Sequence, residues 1–175
     1  MKTLVVYSSL TNNTKKVAEA AASAIEGAEL RPVSEDPNPN DFDLILVGFW
    51  VDKGLPDAAT KVYLEKIKGK KAAFFFTLGA YPDSDHADDV RLATEEILKK
   101  GGNEILGSFR CQGKVDPALL ERMKKMLPPD HPHAQMTEER KARLAEAAKH
   151  PNEEDLAKAA DFARAARLQA LGEKA

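Results

Sequence analysis

The sequence contains a single cysteine, Cys111, among its 175 residues, and that scarcity removes several classes of protein. One cysteine excludes an intrachain disulfide and any zinc site built on several thiolates. Charge of one sign is lacking too, because 26 Lys and Arg face 28 Asp and Glu. The resulting formal charge of −2 gives no attraction toward nucleic acid. Long apolar runs are also absent, since none approaches the roughly 20 residues that cross a bilayer.

The N-terminal apolar run, Leu4 to Tyr7, is too short for the core of a signal peptide. We therefore expect a soluble cytoplasmic protein. The loop histidines His131 and His133 are interpreted as ordinary surface residues, and we expect no metal site. We expect one domain over residues 1–175, with a core over about 1–116 and a C-terminal helical extension over about 117–175.

Apolar segments and helical patterns alternate along the first two thirds of the chain. Five segments are typical of strands buried on both faces, at about 2–7, 29–33, 43–49, 72–77 and 104–111. Helical periodicity falls between them, over about 13–26, 57–67 and 86–100. This alternation predicts an α/β sandwich of three layers around a five-stranded parallel sheet. Three further helical segments, starting near 116, 137 and 152, either cover this sheet or extend it.

Ligands of such sheets lie at the carboxyl ends of the strands, where the strand order reverses. The loops of interest are therefore 8–14, 50–57, 78–86 and 112–116.

The first of these loops, SSLTNNT at residues 8–14, is unusually polar and contains neither glycine nor a basic residue. A polar turn between a strand and a helix forms an anion site, because free amides at the helix N-terminus point into it. The hydroxyls of Ser9, Thr11 and Thr14 are spaced to converge on one tetrahedral group. The alternative is a capped helix start with ordinary solvated side chains.

This stretch resembles the flavodoxin phosphate loop, S/T-x-T-G-N-T, which wraps the phosphate of FMN. The resemblance implies that hydroxyls come from Ser9, Thr11 and Thr14, and that backbone amides come from Leu10, Asn12, Asn13 and Thr14. Asn12 stands where the family pattern has glycine. The substitution is mild, because asparagine tolerates a positive φ better than most residues.

Two later loops extend the resemblance, GFWVDKG around residue 50 and TLGAYPDS around residue 80. The resemblance implies that the first covers one face of the isoalloxazine and that the second lies along its pyrimidine side. The residues so implied are Trp50, Val51, Asp52, Lys53, Leu78, Gly79, Ala80 and Tyr81. Tyr81 is the best stacking candidate, with Trp50 second. The alternatives are that Trp50 closes the end of the sheet and that Tyr81 tucks against Pro82.

The resemblance runs from residue 2 to about 116 and is nearest to short-chain flavodoxins. It implies strand order 2-1-3-4-5 in the sheet and an FMN that is bound noncovalently. The sequences of the loops are most similar to a bacterial flavodoxin-like subfamily that includes the companion of a bilirubin reductase. It implies an electron-transfer protein that exchanges electrons with a partner reductase, here of the bilirubin-reductase type.

Two other functions stay open. The first is an FMN-dependent oxidoreductase that acts directly on a small acceptor such as a quinone. The chain contains no second nucleotide fingerprint, which favours the carrier. The second is a fold that has lost FMN and acts only in protein interaction, for which Asn12 is the one hint.

An acidic cluster follows Tyr81, and no Lys or Arg occurs between residues 82 and 90. We predict a docking patch for a basic redox partner, formed by Asp83, Asp85, Asp88 and Asp89. The alternative is the solvated start of a helix, where acids are favoured by the helix dipole.

Overall fold

A parallel sheet forms the centre of the computed structural model, which describes residues 1–128, 130–131 and 135–173. Its strands are β1 (Thr3–Tyr7), β2 (Glu29–Pro32), β3 (Leu44–Asp52), β4 (Leu55–Pro56), β5 (Lys71–Leu78) and β6 (Glu104–Gln112). The main order is β2-β1-β3-β5-β6, and neighbours along it are parallel. The predicted order is therefore confirmed once the two-residue β4 is set aside.

Helices lie on both faces of this sheet. They are α1 (Asn13–Ser23), α2 (Ala58–Lys66), α3 (Asp85–Lys100), α4 (Pro117–Met126), α5 (Glu138–Ala147) and α6 (Glu153–Leu171). The predicted three-layer α/β sandwich is confirmed. No helix of the described ranges has both the length and the apolar character needed to span a membrane.

Alternate side chains of the central strands form two separate cores. Phe49, Phe74 and Phe76 point to the face that α2 and α3 cover, with the Phe49 and Phe76 rings 5.3 Å apart. On the opposite face, Leu46 and Phe75 pack with α1 and α6. The period of two along a strand thus divides each apolar run between two layers of helices.

Helix α6 comes from the segment beyond residue 116 and covers one face of the sheet. Its small residues Ala159, Ala163 and Ala166 are buried with Val17 and Ala21 of α1. Small side chains let the two helices approach closely. The last strand and the last helix are separated in sequence by α4 and α5.

Two local predictions are wrong. The first helix ends at Ser23 rather than near residue 26, because the amides of Ala24 and Ile25 bond three residues back and tighten the last turn. Residues 50–57 are not an open loop, since β3 runs on to Asp52 and returns as β4 through a two-residue turn. Lys53 and Gly54 both have positive φ, 50° and 81°, which matches the tight turns favoured in hairpins.

Candidate functional site

The loop between β1 and α1 lies at the carboxyl edge of the sheet, where β1 is flanked by β2 and β3. Asn12 has φ 66° and ψ −1°, in the left-handed region. An asparagine therefore adopts the conformation for which the family pattern uses glycine. An open cavity of about 390 Å³ lies beside this loop, and its lining includes Ser8, Ser9 and Lys15.

Most backbone amides of this loop have no acceptor within the described residues. The N–H of Ser8 donates to the Gly48 carbonyl at 2.9 Å, and the N–H of Lys15 donates to Ser9 Oγ at 3.2 Å. Between them, the described part of the protein supplies no acceptor to the amides of residues 9–14. Six consecutive amides at the start of α1 are thus available to an anion.

Two hydroxyls of the loop keep a proton to donate. Ser9 Oγ accepts from the Lys15 amide, and Thr11 Oγ1 accepts from Asn13 Nδ2 at 3.2 Å. Ser8 is different, because its hydroxyl donates to Asp57 Oδ1 at 3.0 Å. Asp57 is buried and caps α2, so Ser8 fixes the loop to the neighbouring helix.

Thr14, the third predicted hydroxyl, is buried, whereas Ser9 is half-buried and Thr11 is exposed. Its Oγ1 lies 2.9 Å from Thr77 Oγ1 at the carboxyl end of β5. Either oxygen can be the donor. When Thr77 donates, the Thr14 hydroxyl keeps its own proton for donation to another acceptor. Sequence reasoning did not find Thr77, because the two threonines are far apart along the chain.

The loop after β6 contacts the loop between β1 and α1. Asn13 Nδ2 donates to the Lys114 carbonyl at 2.9 Å. Gly113 packs so closely that a Cβ there would lie 2.8 Å from Asn13 Nδ2. Residues 112–116 are one of the loops that the sequence places at this edge, but no site residue is predicted among them. The pair Gly113-Lys114 could have been found by asking which backbone must approach the first loop.

The predicted residues Trp50 to Lys53 lie on the β3–β4 hairpin. Trp50 is half-buried, pairs in register with Thr77, and accepts the Asp57 amide at 3.2 Å through its carbonyl oxygen. Val51 pairs with Pro56 across the hairpin. Trp50 is therefore fixed by backbone pairing at the strand end, beside the Thr14–Thr77 contact.

The predicted residues Leu78 to Tyr81 follow β5. Tyr81 is 39% exposed, and its carbonyl accepts from the Ser84 hydroxyl at 2.6 Å. At Gly79, a Cβ would lie 2.5 Å from Val115 Cγ2, so the loop after β6 packs against this loop as well. The structure thus brings the three predicted loops and residues 112–116 together at one edge of the sheet.

The acidic cluster at the start of α3 is not uniformly free. Arg110 donates to Asp88 at 2.7 Å, and Arg91 lies 3.6 Å from the same carboxylate. The hydrogen bond from Arg110 lowers the pKa of Asp88. The remaining acids of the cluster, Asp83, Asp85 and Asp89, are exposed.

His150, with the carboxylates of Glu146 and Asp155, forms a cluster that contacts the loop after β6. His150 Nδ1 lies 2.5 Å from Asp155, and its carbonyl accepts the Lys114 amide at 3.0 Å. The hydrogen bond with Asp155, and a weaker one with Glu146, raise the pKa of His150. Burial, with the nearby Asp155, raises the pKa of the Cys111 thiol. His133 lies outside the described residues.

Comparison with known proteins identifies the family of the chain. Residues 4–164 match the family described as Flavodoxin domain. The flavodoxin-like domain-containing protein BilS of Clostridioides difficile (strain CD3) is 38% identical over 171 residues, which cover 94% of this chain and 95% of that protein. BilS of Clostridium symbiosum (strain WAL-14163) is 32% identical over 146 residues, or 73% of this chain and 76% of its own.

Among solved structures, oxidised flavodoxin 2 from Bacillus cereus aligns with a TM-score of 0.62 at 19% identity, covering 97% of this chain and 99% of its own. A flavoprotein from Lactobacillus acidophilus NCFM, solved in complex with FMN, aligns with a TM-score of 0.50 at 23% identity. It covers 62% of this chain and 92% of its own. On the extent of the family match and the identity to BilS, this chain belongs to the flavodoxin family.

Proposed function

We propose that the chain binds FMN noncovalently and transfers electrons between this flavin and a partner flavoenzyme. The observation that carries the proposal is the run of six free amides at residues 9–14, arranged around a left-handed Asn12. FMN ends in a phosphate, and a neutral loop of amides and hydroxyls fits that dianion at a helix N-terminus. Each hydrogen bond to a charged group is worth roughly 1.5–3 kcal/mol.

The bound flavin would supply the redox chemistry, and the chain would position it. Ser9 and Thr11 would donate hydroxyl protons to the phosphate, beside the amides of residues 9–14. The ring would lie between the loop containing Trp50 and the loop containing Tyr81, which meet at the same edge. Stacking on an aromatic ring adds roughly 0.5–1.5 kcal/mol beyond area burial.

The partner that we propose is a bilirubin-reductase-type flavoenzyme with a basic docking face. The similarity to BilS supports this choice through the subfamily resemblance. The side chains of Asp83, Asp85 and Asp89 are exposed, and their negative charge supports a basic face on the partner. Because Asp88 is paired with Arg110, we leave it out of the docking patch. Charges at the rim of an interface act mainly on the rate of encounter.

Flavin binding is tested by titrating the flavin-free protein with FMN and with riboflavin. Several hydrogen bonds to the phosphate predict that FMN binds at least about a hundredfold more tightly. The variant Thr11→Ala should narrow that ratio by weakening FMN alone. Equal affinities of the wild type for both compounds would contradict the phosphate site.

Electron transfer is tested by mixing the FMN-loaded protein with the reduced flavoenzyme at increasing salt. We expect fast transfer that slows with salt, and slower transfer when Asp83, Asp85 and Asp89 are changed to Asn. The control changes Glu26, Glu65 and Glu104 to Gln, three exposed acids near the opposite edge of the sheet. NADPH oxidation by the protein alone at about 1–10³ turnovers per second would instead support the oxidoreductase.

A further inference from the structure

Helix α4 (Pro117–Met126) has an apolar face that the described residues cover only in part. None of its residues is buried. Leu119, Leu120 and Met123 are only half-buried, and Met126 is 77% exposed. The spacing of these residues places them along one side of a helix. A strip of this kind is one that a protein usually buries against something.

The polar side of the same helix is basic. The helix contains one acid, Glu121, and three bases, Arg122, Lys124 and Lys125. Across 1–128, 130–131 and 135–173, no carboxylate lies within ion-pair distance of these three bases. Their charge is thus available to a molecule that approaches the apolar strip.

The helix begins at the edge of the sheet that holds the candidate flavin site. Its N-terminus is fixed, because Asp116 accepts the Ala118 amide at 2.9 Å. The three residues before it pack against the site, with Gly113 on Asn13 and Val115 on Gly79. A molecule seated on α4 would therefore lie beside the loops that face the flavin.

The composition of this surface favours a protein over a lipid surface. Three of the four methionines of the chain occur between residues 123 and 136, and Met136 is 45% exposed. Flexible methionines are typical of protein docking surfaces. The face of α4 has no aromatic side chain of the kind that anchors helices in a membrane interface.

We infer that α4 is a docking helix for the redox partner, received in an apolar groove with an acidic rim. The inference rests on the proposed carrier function. The partner would then present two opposite charges, acidic groups toward α4 and basic groups toward Asp83, Asp85 and Asp89. Two patches of opposite sign on one edge fix the orientation of the partner, which one patch alone does not.

The test measures the rate of electron transfer between the FMN-loaded protein and a purified bilirubin-reductase-type flavoenzyme. The variant Lys124→Glu with Lys125→Glu should lower the second-order rate on the order of tenfold. The variant Met123→Ala with Met126→Ala should weaken binding of the flavoenzyme on the order of tenfold. The matched control is Lys68→Glu with Lys99→Glu, which makes the same change of charge near the opposite edge and should leave the rate near that of the wild type. FMN content should be equal in all four proteins.

Each other outcome overturns the inference. If the wild type transfers electrons and the α4 variants equal it, the docking helix is wrong and the carrier function stands. If the wild type transfers none, both proposals fail. Cosedimentation with phosphatidylglycerol vesicles that is lost in the Lys124→Glu, Lys125→Glu variant would assign α4 to a membrane surface. Self-association in the ultracentrifuge that is lost in the same variant would assign it to a second copy.

Discussion

The hydroxyls of Thr14 and Thr77 lie 2.9 Å apart, buried between the first turn of α1 and the carboxyl end of β5. The contact joins the loop proposed for the phosphate to the strand that leads into the Tyr81 loop. A shift of either element would break a buried hydrogen bond. The two ends of the proposed flavin site are thus held at a fixed separation by two threonines.

A double-mutant cycle tests this contact. Thr77→Val leaves the buried Thr14 hydroxyl without its partner, so we expect unfolding to become easier by about 1–3 kcal/mol. Thr14→Val should cost a similar amount, and the double variant should cost less than the two single changes added together. Urea unfolding of the four flavin-free proteins measures the coupling. Strict additivity would show that the contact contributes nothing.

The left-handed backbone at Asn12 leads to a second prediction. Asn12→Gly removes the steric cost of φ 66°, so stability and FMN affinity should match or exceed those of the wild type. Asn12→Val should destabilise the protein by at least about 1–2 kcal/mol, because a β-branched residue strains this conformation. Thermal unfolding and FMN titration of both variants provide the measurements. Equal behaviour of the glycine and valine variants would argue against a required positive φ.

The cluster of His150, Glu146 and Asp155 predicts that the stability of the fold depends on pH. Asp155 and Glu146 raise the pKa of His150, so the folded state favours the charged ring. The stabilising interaction is therefore complete below the unfolded pKa of about 6.5 and is lost as pH rises through the folded pKa. NMR titration of the His150 ring should give a midpoint above 6.5, which Asp155→Asn lowers. A midpoint unaffected by Asp155→Asn would assign the shift elsewhere.

The close packing around Gly48 predicts that strand β3 does not tolerate a larger residue at this position. A Cβ at this position would lie 2.3 Å from two ring carbons of Phe75, in the core under α1 and α6. Gly48→Ala should therefore destabilise the protein by about 1–3 kcal/mol through overpacking. The companion variant Gly48→Ala with Phe75→Leu removes the clashing ring carbons. If it is no more stable than Gly48→Ala alone, steric conflict is not the cause.

The sequence predicts most of the sheet because each strand is a continuous apolar run with its own signal. Leu44 to Phe49 is such a run, and the structure buries it in β3. Strand β4 has two residues, too few to show any period, so it could not be predicted. The end of α1 was missed for a related reason, since the apolar Ile25 continues the helical pattern after the backbone has left it.

The site was predicted at the level of loops but not of contacts. Free amides and a positive φ follow from a strand-to-helix turn and a residue that tolerates it, as at Asn12. The partners of Ser8, Thr14 and Asp88 lie 49, 63 and 22 residues away in the chain. No local pattern contains such pairs, because they depend on which strand ends the fold places side by side.

The packing of α6 against α1 also bears on how the chain acquires its structure during synthesis. Helix α1 begins at the proposed phosphate loop, but the alanines that complete its core lie in residues 153–171. Until those residues leave the ribosome, Val17, Ala18 and Ala21 have no final cover on that side. The proposed phosphate loop is therefore translated before the residues that complete the packing of the helix that follows it.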